Sequence, residues 1–121
     1  MGARSLGANG ERGDVERIRR GDIWIVEPVG FPKPRPALVI SINPINDLRP
    51  DVLLIPITTK PAPLRLRLTQ PPSVTGLKEE SYVKCESLGP VHKKRLKKRI
   101  GKVSREQMIE IEAGVRRVLG L

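Results

Sequence analysis

Arg35 and two threonines stand at the ends of neighbouring apolar runs. Arg35 opens the first run, and Thr58 and Thr59 close the second. If the runs form an antiparallel hairpin centred near Asp47, paired residue numbers sum to about 94, which puts Arg35 opposite Thr58 or Thr59. Arginine presents a fork of donors that matches two phosphate oxygens, and threonine adds a short hydroxyl that donates or accepts beside it. The pair predicts chemistry on a phosphate group.

The remaining reactive side chains narrow that chemistry. The chain has one histidine, His92, and one cysteine, Cys85, and its carboxylates do not cluster at the spacing of metal ligands. We therefore predict neither a metal nor another cofactor. Cleavage of RNA requires neither a metal nor a cofactor, because the 2′-hydroxyl of the RNA can itself attack the adjacent phosphorus. Cys85 fits a buried structural thiol better than a nucleophile, since His92 lies in a separate basic turn.

Lys84 and Glu86 form a second pair of interest. They are two residues apart in a segment, 81–88, whose pattern predicts a strand, so both would project from one face with Cys85 on the other. Glu86 could then act as a general base while Lys84 binds the phosphate. A plain surface ion pair between the two explains the spacing equally well.

The charge balance favours a polyanionic partner. The chain of 121 residues carries 23 basic and 13 acidic side chains, a net charge of +10, which is typical of proteins that bind RNA or DNA. Six basic residues fall within 93–99, and Arg65 and Arg67 add an alternating pair. For the 93–99 run alone, a solvated strand edge is the competing interpretation. With one Trp, one Tyr and one Phe, the chain lacks a row of aromatic platforms, so charge and hydrogen bonds must hold most of any bound strand.

The apolar pattern predicts a mainly β domain. Short strands are expected at 21–26, 35–42, 52–58, 65–68, 81–88 and 99–103, which suggests a closed or half-closed barrel. The period then changes: Ser104 and Gln107 form a capping-box pattern, and apolar residues recur at helical spacing up to Gly120. One amphipathic helix should close the chain, with Gly114 marking a close contact or simple tolerance on it.

Composition predicts the domain boundary and the cellular compartment. Residues 1–19 are rich in Gly, Arg and Glu and are predicted to be a flexible extension, which leaves 20–121 as one domain. No apolar run reaches the length of a membrane span, and no secretory signal is recognisable at the start. With a single cysteine, these features predict a cytoplasmic protein.

The sequence resembles the MazF/PemK group of toxin endoribonucleases from about Arg20 to Leu121. The resemblance rests on segments in the same order and at similar spacing: Gly21-Asp22-Ile23-Trp24, Arg35-Pro36-Ala37-Leu38-Val39-Ile40, Pro56-Ile57-Thr58-Thr59, Gly76-Leu77, Ser81-Tyr82-Val83-Lys84-Cys85-Glu86 and Arg99-Ile100-Gly101-Lys102-Val103-Ser104. No one of these motifs is decisive alone.

This resemblance implies an SH3-like β-barrel with a C-terminal amphipathic helix. It also implies a metal-independent, sequence-selective endoribonuclease that acts as the toxin of a type II toxin–antitoxin system, forms a homodimer and is neutralised by an acidic antitoxin. Arg35 and Thr58 match the family's catalytic arginine and threonine, and Glu86 would join them. The predicted RNA-binding residues are Thr59, Lys84, Lys33, Arg65 and Arg67.

Two departures from the family pattern leave alternatives open. Typical relatives have a longer loop with a Glu-Gln pair where this chain has Phe31-Pro32-Lys33, a candidate lid before Arg35. Ser87-Leu88-Gly89 replaces a common Gln-hydrophobic-Arg segment. Two competing hypotheses remain. The chain could be a non-catalytic module of the same fold that binds nucleic acid or gyrase, or it could be a family member that has lost activity.

Overall fold

A computed structural model describes residues 17–27 and 33–121. Most of the predicted N-terminal extension lies outside these residues, as does most of the candidate lid. The elements, in chain order, are β1 (Asp22–Val26), β2 (Arg35–Val39), α1 (Asn43–Leu48), β3 (Asp51–Thr58), β4 (Leu66–Arg67), α2 (Pro72–Thr75), β5 (Tyr82–Val83), β6 (Gly89–His92), β7 (Leu96–Lys102) and α3 (Arg105–Leu119). Two single 3-10 turns, Cys85–Ser87 and Lys93–Arg95, precede β6 and β7.

The strands form a curled antiparallel sheet. Five of them lie in the order β6-β3-β2-β1-β7, yet β6 and β7, at the two ends, are joined by only the 3-10 turn Lys93–Arg95. Three residues span at most about 10 Å, so the sheet must curl until its ends approach each other. The predicted fold, a mainly β barrel followed by a C-terminal helix, is confirmed.

Strand β3 belongs to two sheets. Its first half pairs with β6, through Asp51–Leu54, and its second half pairs with β5, through Ile57 and Thr58. Strand β4 then pairs with the outer side of β5. The small sheet β3-β5-β4 therefore extends the barrel wall beyond the end of β6, with Thr58 at the far end of β3.

The two faces of the sheet bury separate cores. One face packs Ile23, Leu38, Ile55 and Val83 against Ile111 of α3, and all five side chains are fully buried. The other face lines the inside of the curl, where the buried side chains are Trp24, Val26, Ala37, Val39, Val52, Leu54 and Leu96. Nearly all of this packing is aliphatic, as the composition requires.

Helix α3 begins and ends where its sequence signals predict. The Ser104 hydroxyl accepts a hydrogen bond from the Gln107 backbone N–H at 3.1 Å, and Gly120 ends the helix in the left-handed conformation, with φ 72°. The Gln107 side chain does not complete a capping box. Its amide oxygen instead accepts from the Thr69 backbone N–H at 2.8 Å, which ties α3 to the end of β4.

The connector between β2 and β3 is a short helix, which the sequence patterns missed. Asn46 is buried at the centre of α1, and its amide donates to the Ser41 carbonyl at 3.0 Å and to the Asn43 side chain at 3.1 Å. The Ser41 hydroxyl in turn accepts from the Leu53 N–H at 3.1 Å. These bonds fix the hairpin, and hence the register of the strands that leave it.

The predicted strand at 81–88 is much shorter than expected. It ends at Val83, and Cys85–Ser87 form a 3-10 turn. Cys85 is fully buried in the core beneath α3, where burial is the main factor that raises the pKa of its thiol. The interpretation of Cys85 as a structural thiol is confirmed.

Two glycines allow α2 to lie directly on β7. A Cβ on Gly101 would stand 2.3 Å from the backbone carbonyl of Thr75, and one on Gly76 would stand 2.2 Å from the Ile100 oxygen. Gly76 also has φ +74°, a conformation that favours glycine. We call this backbone contact the glycine seam. It covers the edge strand β7 and fixes the small sheet against the barrel.

No helix among the described residues has the length and apolar character needed to cross a membrane.

Candidate active site

The β2–β3 register, continued beyond its last pair, leads to Arg35 and Thr58 as opposed residues. The pairs Ala37–Pro56 and Val39–Leu54 have residue numbers that sum to 93, and the same register continued by two residues reaches Arg35 and Thr58. Directly opposed residues in an antiparallel pair project from the same face. Of the two threonines that the sequence left open, Thr58 is therefore the one opposite the guanidinium.

Both members of this pair are accessible. Arg35 is exposed at the start of β2, and Thr58 is half-buried at the end of β3. The Thr58 hydroxyl oxygen accepts a hydrogen bond from the Lys60 backbone N–H at 3.2 Å. That contact orients the hydroxyl and leaves its own proton available to donate, with no acceptor for it among residues 17–27 and 33–121.

The row extends across the small sheet. Thr58 is paired with Tyr82 on β5, and Tyr82 is paired with Arg67 on β4. By the same rule of opposed residues, all four side chains, Arg35, Thr58, Tyr82 and Arg67, belong to one face, with neighbouring Cβ atoms about 5 Å apart. We call these residues the cross-strand row. The sheet face that lines the barrel interior continues into the cross-strand row, which lies at the open end, or rim, of the barrel.

The outer end of the row is a hydrogen-bonded group. Glu80 Oε2 accepts from the Tyr82 hydroxyl at 2.8 Å and from Arg67 Nε at 2.9 Å. The hydrogen bond to Glu80 is the largest of the effects that raise the pKa of Tyr82. The phenol is therefore held as a neutral donor beside Arg67.

Lys84 and Glu86 do not share a strand face as predicted, because β5 ends before both. Lys84 still lies across from Pro56, since its backbone N–H donates to the Pro56 carbonyl at 2.9 Å, and it is close to the row. Glu86 lies in the following 3-10 turn and is paired with Arg65, whose Nε is 2.9 Å from Oε2.

Arg65 holds the loop after β3 as well as Glu86. Its Nη1 donates to the Lys60 carbonyl at 2.8 Å, and only 16% of its side chain is exposed. Arg65 is therefore largely covered by its partners and is not free to project into solvent. Arg65 connects Glu86 to the turn that positions the Thr58 hydroxyl, whereas Arg67 is exposed.

The environment of Glu86 keeps it ionised. Partial desolvation acts to raise the pKa of its carboxyl group, but the backbone N–H of its own residue, the Arg65 hydrogen bond and charge, and the charge of Lys84 lower it overall. A carboxylate with a lowered pKa is a weaker base but is fully ionised at neutral pH.

The basic run at 93–99 lies at the base of the loop that leads to Arg35. Glu27, which follows β1, donates its N–H to the Arg95 carbonyl at 2.9 Å, and its own carbonyl accepts from Arg95 Nη1 at 2.9 Å. Lys97 Nζ is 3.4 Å from the Glu27 carboxylate. Since Val26 is paired with Arg35, the run extends the positive charge of the row.

Sequence reasoning missed two parts of this surface. Tyr82 was absent from the predicted site, and the run containing Lys94 and Arg95 was not connected with Arg35. Only long-range strand pairing brings them to the row, so no local pattern could have identified them. Of the predicted RNA-binding residues, Lys33 and Thr59 are exposed next to Arg35 and Thr58 along the chain.

No group of three or more side chains that could ligate a metal occurs within the described part of the chain.

The fold and the row define a class: a small basic β-barrel with an arginine and a hydroxyl opposed at its open rim. The chain belongs to the PemK-like, MazF-like toxins of type II toxin–antitoxin systems, whose family model matches residues 19–119. The predicted family is thereby confirmed. A search of curated proteins found no match.

Several solved structures share the fold. An endoribonuclease in complex with its cognate antitoxin, from a mycobacterial species, has a TM-score of 0.74 at 23% identity, with 88% of this chain and 97% of that chain covered. The Mycobacterium tuberculosis toxin MazF-mt6 has a TM-score of 0.72 at 22% identity, covering 83% and 97%. MazF from Deinococcus radiodurans has a TM-score of 0.73 at 16% identity, covering 88% and 100%.

Proposed function

We propose that this toxin-family protein is a metal-independent, sequence-selective endoribonuclease that cleaves single-stranded RNA at the cross-strand row. The observation that carries the proposal is the β2–β3 register, which, continued by two residues, sets an exposed guanidinium, Arg35, opposite an oriented hydroxyl, Thr58. Family membership and the endoribonuclease named among the solved structures support it.

In the proposed reaction, the RNA supplies its own nucleophile. A base removes the proton of a 2′-hydroxyl, the 2′-oxygen attacks the adjacent phosphorus, and the bond to the 5′-oxygen breaks. The leaving 5′-oxygen takes up a proton from solvent, so the products are a 2′,3′-cyclic phosphate and a 5′-hydroxyl. No metal is required, because the guanidinium of Arg35 stabilises the negative charge that grows on the phosphoryl oxygens.

The other residues assist this step. Thr58 donates a hydrogen bond to a phosphoryl oxygen through its free hydroxyl proton, and Glu86 is the proposed base. Lys84, Lys33 and Thr59 bind the neighbouring phosphates or sugars. The structure suggests a different role for Arg65, which positions Glu86 and the Lys60 turn instead of binding RNA by itself.

The central test uses pure protein, a long single-stranded RNA and EDTA. Fragments with 2′,3′-cyclic phosphate ends that accumulate at a few sequence-defined positions are expected. Primer extension across a treated transcriptome would then report the cut sequence. RNA that stays intact although it binds the protein would overturn the nuclease proposal and favour the non-catalytic alternative.

Removal of the Thr58 hydroxyl should slow cleavage without unfolding the protein. Thr58→Val keeps the shape and the β-branch but removes the donor, and we expect kcat to fall about 10- to 100-fold, the loss of one hydrogen bond to a charged group. Thr58→Ser, which keeps the hydroxyl, should retain most of the rate. Equal activity of the Val and wild-type proteins on the mapped RNA would argue against this role.

The base assignment predicts a pH dependence. The pKa of Glu86 is lowered from its ordinary value of 4.5, so Glu86 stays ionised until the pH falls below 4.5. The acidic limb of kcat/KM, where the base becomes protonated and the rate falls, should therefore lie below pH 4.5. Arg65→Gln removes the side-chain ion pair that helps to lower the pKa of Glu86, so the acidic limb should move to higher pH. Profiles of kcat/KM for both proteins provide the check, and Glu86→Gln should be slow at every pH.

An unchanged rate in Glu86→Gln would remove Glu86 from the mechanism. A limb that stays in place after Arg65→Gln would show that another group titrates.

We also propose the biological setting that the family implies. An acidic, flexible antitoxin segment would cover the row, which is supported by the net charge of +10. A cytoplasmic homodimer is expected as well. Large apolar side chains that remain exposed, such as Ile42, Leu48 and Ile109, are of the kind a second subunit buries. Sedimentation analysis would report the oligomeric state directly.

A further inference from the structure

We propose that Tyr82 is a stacking platform for the RNA base that flanks the cleaved phosphate. This inference rests on the nuclease proposal for the location of the phosphate, but it concerns a separate subsite. Tyr82 is paired directly with Thr58 on one side and with Arg67 on the other. A nucleotide whose phosphate contacts Arg35 and Thr58 therefore has its neighbour over this ring.

Tyr82 is the aromatic residue available for that purpose. Trp24 is 6% exposed and packs in the core inside the curl, and Phe31 lies outside the described residues. Tyr82 is half-buried, so one part of its side chain is supported by the small sheet while the rest meets solvent. An aromatic face at a basic rim is the arrangement on which single-stranded bases stack.

The ring is also held in place before RNA arrives. Its hydroxyl donates to Glu80 Oε2 at 2.8 Å, and the same oxygen is bound by Arg67 Nε at 2.9 Å. Fixing the ring beforehand reduces the entropy lost on binding. Because the phenol proton is already donated to Glu80, the ring face and not the hydroxyl is the part offered to RNA. Arg67 lies next to the ring, where the phosphate beyond the stacked base would pass.

A purely structural role is the competing explanation, in which Tyr82 only joins β5 to Glu80. The two roles differ in what RNA does to the ring. The single tyrosine of the chain gives one set of ring resonances, so ring-labelled protein reports on Tyr82 alone. The RNA probe is a short single strand that spans the mapped cut, with a 2′-deoxy nucleotide at the attacking position to prevent cleavage, or poly(U) if no cut is found.

Stacking should shift the Tyr82 ring resonances upfield when this RNA binds. Replacing the flanking nucleotide with an abasic one should abolish the shift. In cleavage assays, Tyr82→Val should lower kcat/KM about 10- to 100-fold, mainly through KM, whereas Tyr82→Phe, which keeps the ring, should stay within a few-fold of wild type. The abasic substrate should lower the wild-type rate but cause no further loss in Tyr82→Val.

The outcomes separate the two proposals. Cleavage by a protein whose ring resonances do not move on RNA binding overturns the platform and leaves the nuclease intact. Ring shifts in a protein that never cuts RNA support the platform and overturn the nuclease. If Tyr82→Val does not fold, the wild-type ring shifts and the abasic substrates still decide the question.

Discussion

Replacing Arg35 with alanine should lower kcat for RNA cleavage by about 10²- to 10³-fold, which corresponds to about 3 to 4 kcal/mol of transition-state stabilisation. The effect is large because the guanidinium is the charge that the register places opposite Thr58, and no other described residue occupies that position. Since Arg35 is exposed, its removal creates no cavity, and the thermal stability should stay close to that of wild type. Single-turnover cleavage of the mapped RNA, together with a thermal scan, measures both quantities.

Two further variants sharpen this test. Arg35→Lys keeps a positive charge but loses the two-pronged geometry, so it should recover only part of the rate. Arg49→Ala removes an exposed arginine beyond α1, at the opposite end of the β2–β3 hairpin, and should cleave like wild type. If Arg49→Ala is as slow as Arg35→Ala, the loss reflects overall charge. Full activity of Arg35→Ala would contradict the proposed mechanism.

The largest effect on stability is expected at the glycine seam. Gly101→Ala would place a methyl group 2.3 Å from the Thr75 backbone carbonyl and 2.5 Å from the Val74 oxygen. Backbone atoms of a helix cannot rotate away as a side chain can, so α2 must shift off β7. We expect a loss of about 3 kcal/mol or more in the free energy of unfolding and a fall of about 10 °C or more in Tm.

Gly89→Ala is the matched control. It also adds one methyl group to a glycine in a strand, but there the nearest heavy atom is the Ser87 carbonyl oxygen at 3.9 Å, so the change should be nearly neutral. Denaturant unfolding of the two variants under the same conditions makes the comparison. Similar midpoints for Gly101→Ala and wild type would show that α2 adjusts at little cost and that the contact is not tight in solution.

The glycine seam also bears on the site. It fixes α2, and the chain that leaves α2 at Gly76 leads to β5 and Tyr82. A variant that loosens the seam without unfolding the protein should therefore disturb the outer half of the cross-strand row more than the pair Arg35 and Thr58. That distinction can be read from the Tyr82 ring resonances.

Much of the barrel could be predicted from local sequence. The apolar runs at β1, β2 and β3 were located to within a few residues, because each strand is buried and its pattern reflects that burial. Helix α3 was predicted with its correct boundaries, since Ser104 and Gly120 are chemical signals for the ends of a helix. Short elements were predicted less accurately: α1 was missed and β5 was predicted too long. An element of two to six residues is too short for its apolar residues to show a clear period.

The sequence by itself determined the composition of the site. An arginine that opens one strand and a threonine that ends the next are neighbours in any hairpin joined by a short connector, so their approach required only local pairing. The excess of basic residues and the buried nature of Cys85 were equally determined by residue type and pattern, because they depend on chemistry and hydrophobicity and not on the path of the chain.

Only the tertiary structure decided which of the other residues join that pair. Tyr82 lies beside Thr58, Glu86 is held by Arg65, and Arg95 meets Glu27, in pairs separated by 21 to 68 positions along the chain. Such contacts depend on the order and register of strands that are distant in sequence. A shift of one residue in the register would move every side chain of a strand to the other face of the sheet. The order in which the strands pair within the curled sheet decides these contacts, and no local pattern encodes that order.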